Sequence, residues 1–233
     1  MSKKHVEDKT EKGFENISET LTASEQFLEK NQKSILYGLL VVVLIVGAFF
    51  AYQHFYYKPR KLKAEAAIFK GERYFQNGQD SLALFGNGND YVGFIAIIDQ
   101  FGGTKTANLA QAYAGISYSR LGQNEEALKY LNKFKGSDYL ISPAVTGAIG
   151  DVYMNMGKTE DAISYFTKAA DKADNVMLSP IYLKKAGLAY IDAKNYDKAV
   201  AVFSKIKDKY LNSIEAQEAD KYIEEANLLK GGN

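Results

Sequence analysis

The sequence contains no cysteine, no tryptophan, two histidines and three prolines in 233 residues. Without cysteine, disulfide bonds, thiol catalysis and thiolate metal sites are excluded, and two histidines are too few to favour a zinc site. The low proline content, beside many Ala, Leu, Lys and Glu residues, favours helices over a turn-rich β architecture. We therefore predict an all-α protein.

An excess of charge of either sign is also missing, because 29 basic residues face 28 acidic ones and the net charge is +1. The chain has no overall basic field of the kind that attracts nucleic acid, so we expect no nucleic-acid partner. His5 and His54 have no second histidine at ligand or triad spacing. Acidic pairs such as Glu125-Glu126 occupy adjacent helical positions, which point about 100° apart and face solvent. We predict no enzyme, no catalytic or metal-binding residue, no cofactor and no small-molecule substrate.

Charge is absent altogether between Lys33 and Lys58, where the sequence from Ile35 to Tyr52 reads ILYGLLVVVLIVGAFFAY. A run of this length can cross a bilayer as a helix. The charged leader is too long for a signal peptide, and no small-x-small cleavage site follows the run, so we expect a retained anchor. The span is predicted at about residues 34–56. Its apolar positions include Ile35, Leu39, Val43, Val46 and Phe50.

Three segments are predicted along the chain. Residues 1–21 form a charged cytosolic leader, interpreted as mostly disordered, with a partner-binding or membrane-surface helix as the alternative. Residues 22–57 form the membrane helix with an N-terminal extension, because Thr22-Ala-Ser-Glu25 matches a capping box. Residues 58–233 form a helical domain.

The orientation of the anchor stays open from charge alone. Lys30 and Lys33 precede the span, whereas five basic residues follow it closely. Counted alone, the positive-inside rule places the C-terminal domain in the cytosol. All the residues before the span together hold six lysines, however, and long domains cross membranes largely regardless of charge.

The C-terminal domain repeats. Glycines 115, 150 and 187 are separated by 35 and 37 residues, and each is followed by a tyrosine after three residues and an alanine after twelve. This pattern resembles the tetratricopeptide repeat (TPR), which pairs two antiparallel helices in about 34 residues. Small residues at such spacing allow two helices to cross closely. The predicted signature comprises Gly71, Tyr74, Gly93, Gly115, Tyr118, Ala127, Gly150, Tyr153, Ala162, Gly187, Tyr190 and Ala199.

The first of four predicted units is longer than the others. Gly71 and Tyr74 begin it, but Gly115 lies 44 residues further on. Counting back 22 residues from Gly115 gives Gly93 as the small position of a second helix over 91–101, which places an insertion at 79–90. Its Gly86–Asp90 stretch matches neither a phosphate loop nor a calcium loop and is interpreted as a surface loop. Residues 213–230 are predicted to cap the solenoid.

A stacked array of this kind presents its first helices along a concave face. Counting from the repeat glycines, we predict a groove that takes an apolar helix or extended segment of a partner, or is filled by the chain's own cap or insertion. Acidic tails are disfavoured, because Leu, Ile, Met and Ala predominate over Lys, Arg and Asn. The candidate groove residues are Leu109, Ile116, Ser119, Asp151, Met154, Ile181, Lys184, Leu188 and Ile191.

The order of the segments along the chain indicates a more specific family. A charged leader, the sequence Phe27-Leu-Glu-Lys-Asn-Gln-Lys33 running into the anchor, a Tyr-rich exit with Lys58 to Lys63, and repeats to the end follow one another. In this order the chain resembles the YfgM family of bacterial inner-membrane proteins, in a version with a larger first unit similar to those of Bacteroidetes.

That resemblance implies an ancillary subunit of the SecYEG translocation channel, anchored once in the inner membrane, with its N-terminus in the cytosol and its repeats in the periplasm. There it would work with a membrane-tethered chaperone of the PpiD type on secreted polypeptides. The alternative is a generic membrane-tethered scaffold, cytosolic-facing or in envelope assembly. Client proteins, oligomeric state and the role of the insertion are not determined by the sequence.

Overall fold

The computed structural model describes the backbone of residues 4–232 and the side chains of residues 27–232, and it divides the chain into two units after Pro59. All regular structure in this described part is helical, which confirms the predicted all-α class. Each unit is described by itself below.

The first unit contains the apolar run. Helix α1 spans Lys4–Ala51, and a π-helical stretch, Tyr52–Tyr57, follows it. The residues from Phe27 onward contain one window that is long and apolar enough to cross a membrane, and none of that window is buried against protein. The five predicted anchor side chains are all exposed. An apolar helix without a protein surface against it is suited to a lipid environment.

The beginning of α1 differs from the predicted leader. The helix already begins at Lys4, although residues 1–21 were expected to be mostly disordered. The segment contains no proline, and its many lysines and glutamates are good helix formers, so nothing in its backbone chemistry interrupts the helix. The side chains of the Thr22–Glu25 capping box lie outside the described residues, and its backbone is inside α1 rather than at an N-terminus.

The second unit is a series of helix pairs, one pair for each repeat. We call the earlier helix of each pair its first helix and the later one its second helix. The first helices are α2, α5, α7, α9 and α11, and the second helices are α3 with α4, α6, α8 and α10. Their bounds are α2 Lys58–Gln76, α3 Asp80–Phe85, α4 Phe94–Gln100, α5 Lys105–Arg120, α6 Asn124–Leu131, α7 Ile141–Asn155, α8 Thr159–Ala173, α9 Ser179–Asp192, α10 Tyr196–Lys209 and α11 Ile214–Gly231.

The repeat glycines lie where the two helices of a pair cross. A Cβ atom on Gly150 would lie 2.6 Å from Cε1 of Phe166, and one on Gly187 would lie 2.6 Å from Cζ of Phe203. Such a contact is too close for any side chain, so only glycine lets the large ring of the second helix approach. In each of these pairs the ring comes sixteen residues after the glycine.

The alanines and tyrosines of the signature complete this packing. Ala127, Ala162 and Ala199 are fully buried on the second helices. Two of the tyrosines on the first helices stack on tyrosines of their paired helices, with ring centroids 5.3 Å apart for Tyr118–Tyr130 and 5.2 Å apart for Tyr153–Tyr165. The sequence signature is thus a set of contacts inside each helix pair.

The first pair corrects the predicted insertion. Helix α3 begins immediately after the Gly78 turn, as a second helix should, and residues 86–93 then interrupt it before α4. The surplus therefore lies inside the second helix, and the predicted position at 79–90 is wrong. Ala83, twelve residues after Gly71 and fully buried, holds the register of the other alanines.

The role predicted for Gly93 is also wrong. This residue precedes α4 and has a φ of 91°, so it belongs to the interrupting loop and not to a helix crossing. A side chain there would collide with the backbone of Leu84, Phe85 and Gly86. Glycine is required because the chain turns back closely on itself with a positive φ.

Helix α11 closes the series at the C-terminal end. Ser213 is its N-cap, and the Ser213 hydroxyl accepts a hydrogen bond of 3.1 Å from the Ala216 N–H. Its Tyr222 ring stacks on Phe203 of α10 at 4.9 Å between centroids, and Ala219 and Ala226 are fully buried. Because α11 has no paired helix after it among the described residues, it occupies the place of a fifth first helix.

Candidate partner-binding face

The predicted groove residues all lie on first helices, on α5, α7 and α9. Consecutive first helices are joined by polar contacts between residues that are about one repeat length apart in the sequence. These contacts show that the first helices lie side by side along one face of the unit. We call this surface the first-helix face. The joining pairs are Glu72–Tyr113, Ser119–Asn155, Asp151–Lys185 and Lys184–Glu218.

Asp151 is engaged within the protein. Both of its carboxylate oxygens accept hydrogen bonds of 2.7 Å from the Lys185 ammonium, which joins α7 to α9. Burial raises the pKa of the neighbouring Tyr182, and the Asp151 carboxylate adds to that rise. The charge predicted to face a partner is therefore neutralised by the next helix along.

Lys184 is engaged in the same way. Its ammonium donates to the Glu218 carboxylate on α11 and lies 5.3 Å from the centre of the Tyr222 ring. The hydrogen bond raises the pKa of Lys184 and lowers the pKa of Glu218. This pair fastens α11 to α9, so the first-helix face has no unpaired charge at this position.

The apolar candidates divide into two groups. Ile181 and Leu188, two turns apart on α9, are 37% and 40% exposed. The others are partly buried and pack against the buried clusters of the core, so they offer less surface. This second group comprises Leu109, Ile116, Met154 and Ile191. Ser119 contributes its hydroxyl to Asn155 at 3.5 Å.

Lys185 and Glu218 are the residues of this face that the sequence patterns did not indicate. Each lies 34 residues from its partner, Asp151 and Lys184 respectively. Opposite charges separated by one repeat length on consecutive first helices were therefore the signal that could have identified them.

Chemistry other than binding finds no support in the described side chains. Across residues 27–232 no three His, Asp or Glu side chains come together to hold a metal ion. Tyr113 is the first-helix residue with the largest change, because burial and the Glu72 carboxylate raise its pKa to about 12. That change accompanies a structural hydrogen bond of 3.2 Å to Glu72.

Comparison with known proteins agrees with the repeat. Tetratricopeptide repeat family models match residues 110–137, 147–171 and 185–213. Two crystal structures of nearly identical, kinesin-light-chain-type TPR-like repeats from Podospora anserina are similar in fold. One, a glutamine-to-methionine variant, has a TM-score of 0.55 at 14% identity, and the other has 0.56 at 13%; each covers 73% of this chain and 88% of its own. No curated protein matches the chain.

The fold and the face together define a class. The second unit is a TPR-like solenoid of helix pairs, and repeats of this kind are scaffolds for protein–protein interaction. The chain joins this scaffold to one helix that is long and apolar enough to cross a membrane.

Proposed function

We propose that the protein is a membrane-anchored scaffold whose first-helix face binds an apolar segment of a protein partner. The observation that carries this proposal is the exposure of Ile181 and Leu188 on one side of α9. Residues seven apart share a helical face, and Lys184 between them is neutralised by Glu218. An apolar segment could therefore pack there without burying an unpaired charge.

The finer assignment follows the resemblance of residues 27–33 and of the order of parts. We propose an ancillary subunit of the SecYEG channel, with the repeats in the periplasm beside a chaperone of the PpiD type. A tethered scaffold raises the effective concentration of its partners without high intrinsic affinity. A generic membrane-tethered scaffold is the alternative, and it differs in which proteins contact α9.

Site-specific photo-cross-linking tests the first-helix face. A photoreactive residue at Leu188 in the full-length protein in cells should form cross-links to a channel subunit or to the tethered chaperone. The matched control is Leu121, which is similarly exposed at 42% but lies at the turn between α5 and α6. Equal cross-links from both positions, or none from Leu188, would contradict the proposal. Cross-links from Leu188 to other envelope proteins alone would favour the generic scaffold.

Charged substitutions give an independent measurement. Ile181→Asp with Leu188→Asp should abolish co-purification with the cross-linked partner while leaving the helical content unchanged, because both side chains are partly solvated. Ile116 is unsuitable for this purpose, since it packs against the core and its replacement would disturb the fold. Leu121→Asp is the control that should keep the partner.

Topology tests the proposed compartment. A phosphatase fused after Asn233 should be active, because that enzyme matures only outside the cytosol. A fluorescent protein that folds only in the cytosol should be dark at the same position. The opposite pair of results would overturn the translocon assignment and leave the cytosolic-facing scaffold.

A further inference from the structure

One edge of the repeat domain is formed by the loops that precede the first helices. We call it the loop edge, and it consists of residues 101–104, 132–140, 174–178 and 210–213. The opposite edge, which we call the turn edge, consists of the short turns inside the pairs, at residues 77–79, 121–123, 156–158 and 193–195.

Contacts connect neighbouring loops along the whole loop edge. The Asn108 side chain, in the first turn of α5, donates to Lys135 O and accepts from Lys135 N–H, both at 2.8 Å. The Asn175 amide donates to Tyr139 O at 3.4 Å. Lys209 lies 3.5 Å from the Asp174 carboxylate. The loops therefore form one continuous edge.

The chain enters the repeat domain at this same edge. Arg60, near the beginning of α2, donates to Gln100 O at 2.7 Å, immediately before the first loop of the edge. Only two residues separate Arg60 from the apolar helical stretch that ends at Tyr57. The covalent connection to the first unit is therefore made at the loop edge, within three residues of Tyr57.

The loop edge exposes large apolar side chains, and the turn edge hardly does. Met177 and Leu211 are 69% and 72% exposed, whereas the described turns of the other edge, with the helical turn directly after each, expose only Leu121 and Leu82. Seven such side chains occur on the loop edge or in the helical turn directly after it. They are Tyr139, Leu140, Ile141, Val176, Met177, Leu211 and Ile214.

In two of these loops, several backbone N–H groups are already bonded to side chains of the same loop. Oδ1 of Asp138 accepts from the N–H groups of Leu140 and Ile141 at 2.9 and 2.5 Å. Oδ1 of Asn175 accepts from those of Met177 and Leu178 at 3.0 and 2.7 Å. A loop whose N–H groups are bonded internally can enter an apolar phase without leaving unsatisfied donors, which is the main barrier to placing irregular backbone there.

We propose that the loop edge rests on the bilayer and inserts Leu140, Met177 and Leu211 into its interface, an inference that relies on the membrane anchor of the proposed function. The solenoid then lies against the membrane with its turn edge away from it. A lipid surface fits because exposed apolar side chains recur at three of the four loops of this edge, and a single protein epitope requires no such recurrence.

The missing tryptophan makes a direct test available, because a single introduced tryptophan is then the sole indole in the protein. The variants Met177→Trp, Leu211→Trp and, as the matched control, Leu121→Trp are each prepared in the full-length protein. They are reconstituted into phosphatidylcholine vesicles with and without bromine on the acyl chains. Flotation of the vesicles establishes that the chain is anchored.

Tryptophan at positions 177 and 211 should show blue-shifted emission and lose most of it to brominated lipid, while tryptophan at 121 should keep its emission. Equal quenching at all three positions, or none at 177 and 211 in vesicles that float with the protein, would overturn this inference and leave the partner-binding face untouched. Protein that does not float would contradict the anchor and this inference together.

A second measurement separates lipid contact from protein contact. With the reporter at 177, Leu140→Gln and Leu211→Gln together should reduce the quenching by brominated lipid. If instead the reporter is shielded from an aqueous quencher only when a partner protein is added, and brominated lipid has no effect, the edge is a protein interface and the lipid assignment is wrong.

Discussion

The first helix pair and the third fill the same helix crossing with residues at different sequence intervals. In the third pair, α7 and α8, the ring of Phe166 reaches Gly150 from a position sixteen residues later in the sequence. In the first pair the corresponding residue is Asn87, and Phe94 lies against Gly71 instead, with Cε1 2.6 Å from the Cβ that Gly71 lacks; the Tyr91 hydroxyl lies closer still. An aromatic ring fills the crossing in both pairs, although the sequence interval differs and the first pair adds a second ring.

The shift from 87 to 94 is seven residues. The interrupting loop, residues 86–93, is not helical, and its close return on itself at Gly86 and Gly93 brings Phe94 to the crossing. With seven residues removed, the interval of 44 between Gly71 and Gly115 becomes 37, equal to that between Gly150 and Gly187. The comparison teaches that the repeat preserves the helix crossing and tolerates a break in the chain that makes it.

The largest effect is expected from removing the crossing ring. Phe94→Ala and Phe203→Ala each delete a fully buried side chain, so each should cost about 3–5 kcal/mol of unfolding free energy. The two losses should be similar if Phe94 has taken over the crossing position. Chemical denaturation of the full-length protein in detergent, followed by circular dichroism, measures both. A much smaller loss for Phe94→Ala would break the comparison.

Filling the crossing from the other side should have the next largest effect. Gly71→Ala places a methyl group against Tyr91 and Phe94, and Gly150→Ala places one against Phe166. Overpacking of this kind costs about 1–3 kcal/mol, partly offset by roughly 1 kcal/mol of helix propensity. The same denaturation experiment measures the net loss.

Gly231 in α11 is the matched control for these glycines, because nothing lies within 4 Å of its missing Cβ. Gly231→Ala should leave stability unchanged or raise it. A stabilising effect of Gly71→Ala would show that the first pair is packed more loosely than the third, and would contradict an equivalent crossing.

The sequence predicts the regular pairs well because their signature records local contacts. Gly150, Phe166 and the alanine between them touch inside one pair, so a fixed spacing reports them directly. The insertion of the first pair was misplaced because the sequence does not distinguish a glycine needed at a helix crossing from a glycine needed for a positive φ, such as Gly93. Ala83 had the right spacing, but alanine alone is too common to outweigh a glycine.

The first-helix face was predicted less completely for a different reason. Position along a helix indicates which side chains point toward that face, and Ile181 and Leu188 are exposed there. Whether a side chain can contact a partner depends on the neighbouring helices. Asp151 forms an ion pair with Lys185, and Ile116 packs against the buried core. Those outcomes depend on contacts across repeats, which the pattern within one repeat does not contain.

A smaller effect should come from the loop that interrupts the first pair. Asn87 Oδ1 accepts from the N–H groups of Asn89, Asp90 and Tyr91, each at 3.1 Å. Its Nδ2 also donates to the Tyr74 hydroxyl and to Asp90. Because water replaces most of these bonds in an exposed loop, Asn87→Ala should cost about 1 kcal/mol in total, and it should speed amide hydrogen exchange in residues 86–93. Asn89→Ala keeps the backbone donors and should leave exchange unchanged. Exchange unaffected by Asn87→Ala would mean that Gly86 and Gly93 hold the loop without it.

The smallest effect is expected in the pH dependence of stability, through the ionisation of Tyr113, which packs against the first pair. The Tyr113 ring stacks on Phe94 with centroids 5.2 Å apart and planes 13° apart, so its ionisation reports on the first crossing. Burial, with the Glu72 carboxylate, raises the pKa of Tyr113 from 10.0 to about 12. The unfolded chain therefore loses this proton first, so the stabilising contribution is complete below pH 10 and declines as the pH rises toward 12. Tyr113→Phe should flatten the fall in the unfolding midpoint between about pH 10 and 12, whereas Tyr139→Phe, at an exposed position, should not. An identical fall in all three proteins would show that Tyr113 ionises freely, and hence that the stack on Phe94 opens more readily than the crossings of the regular pairs.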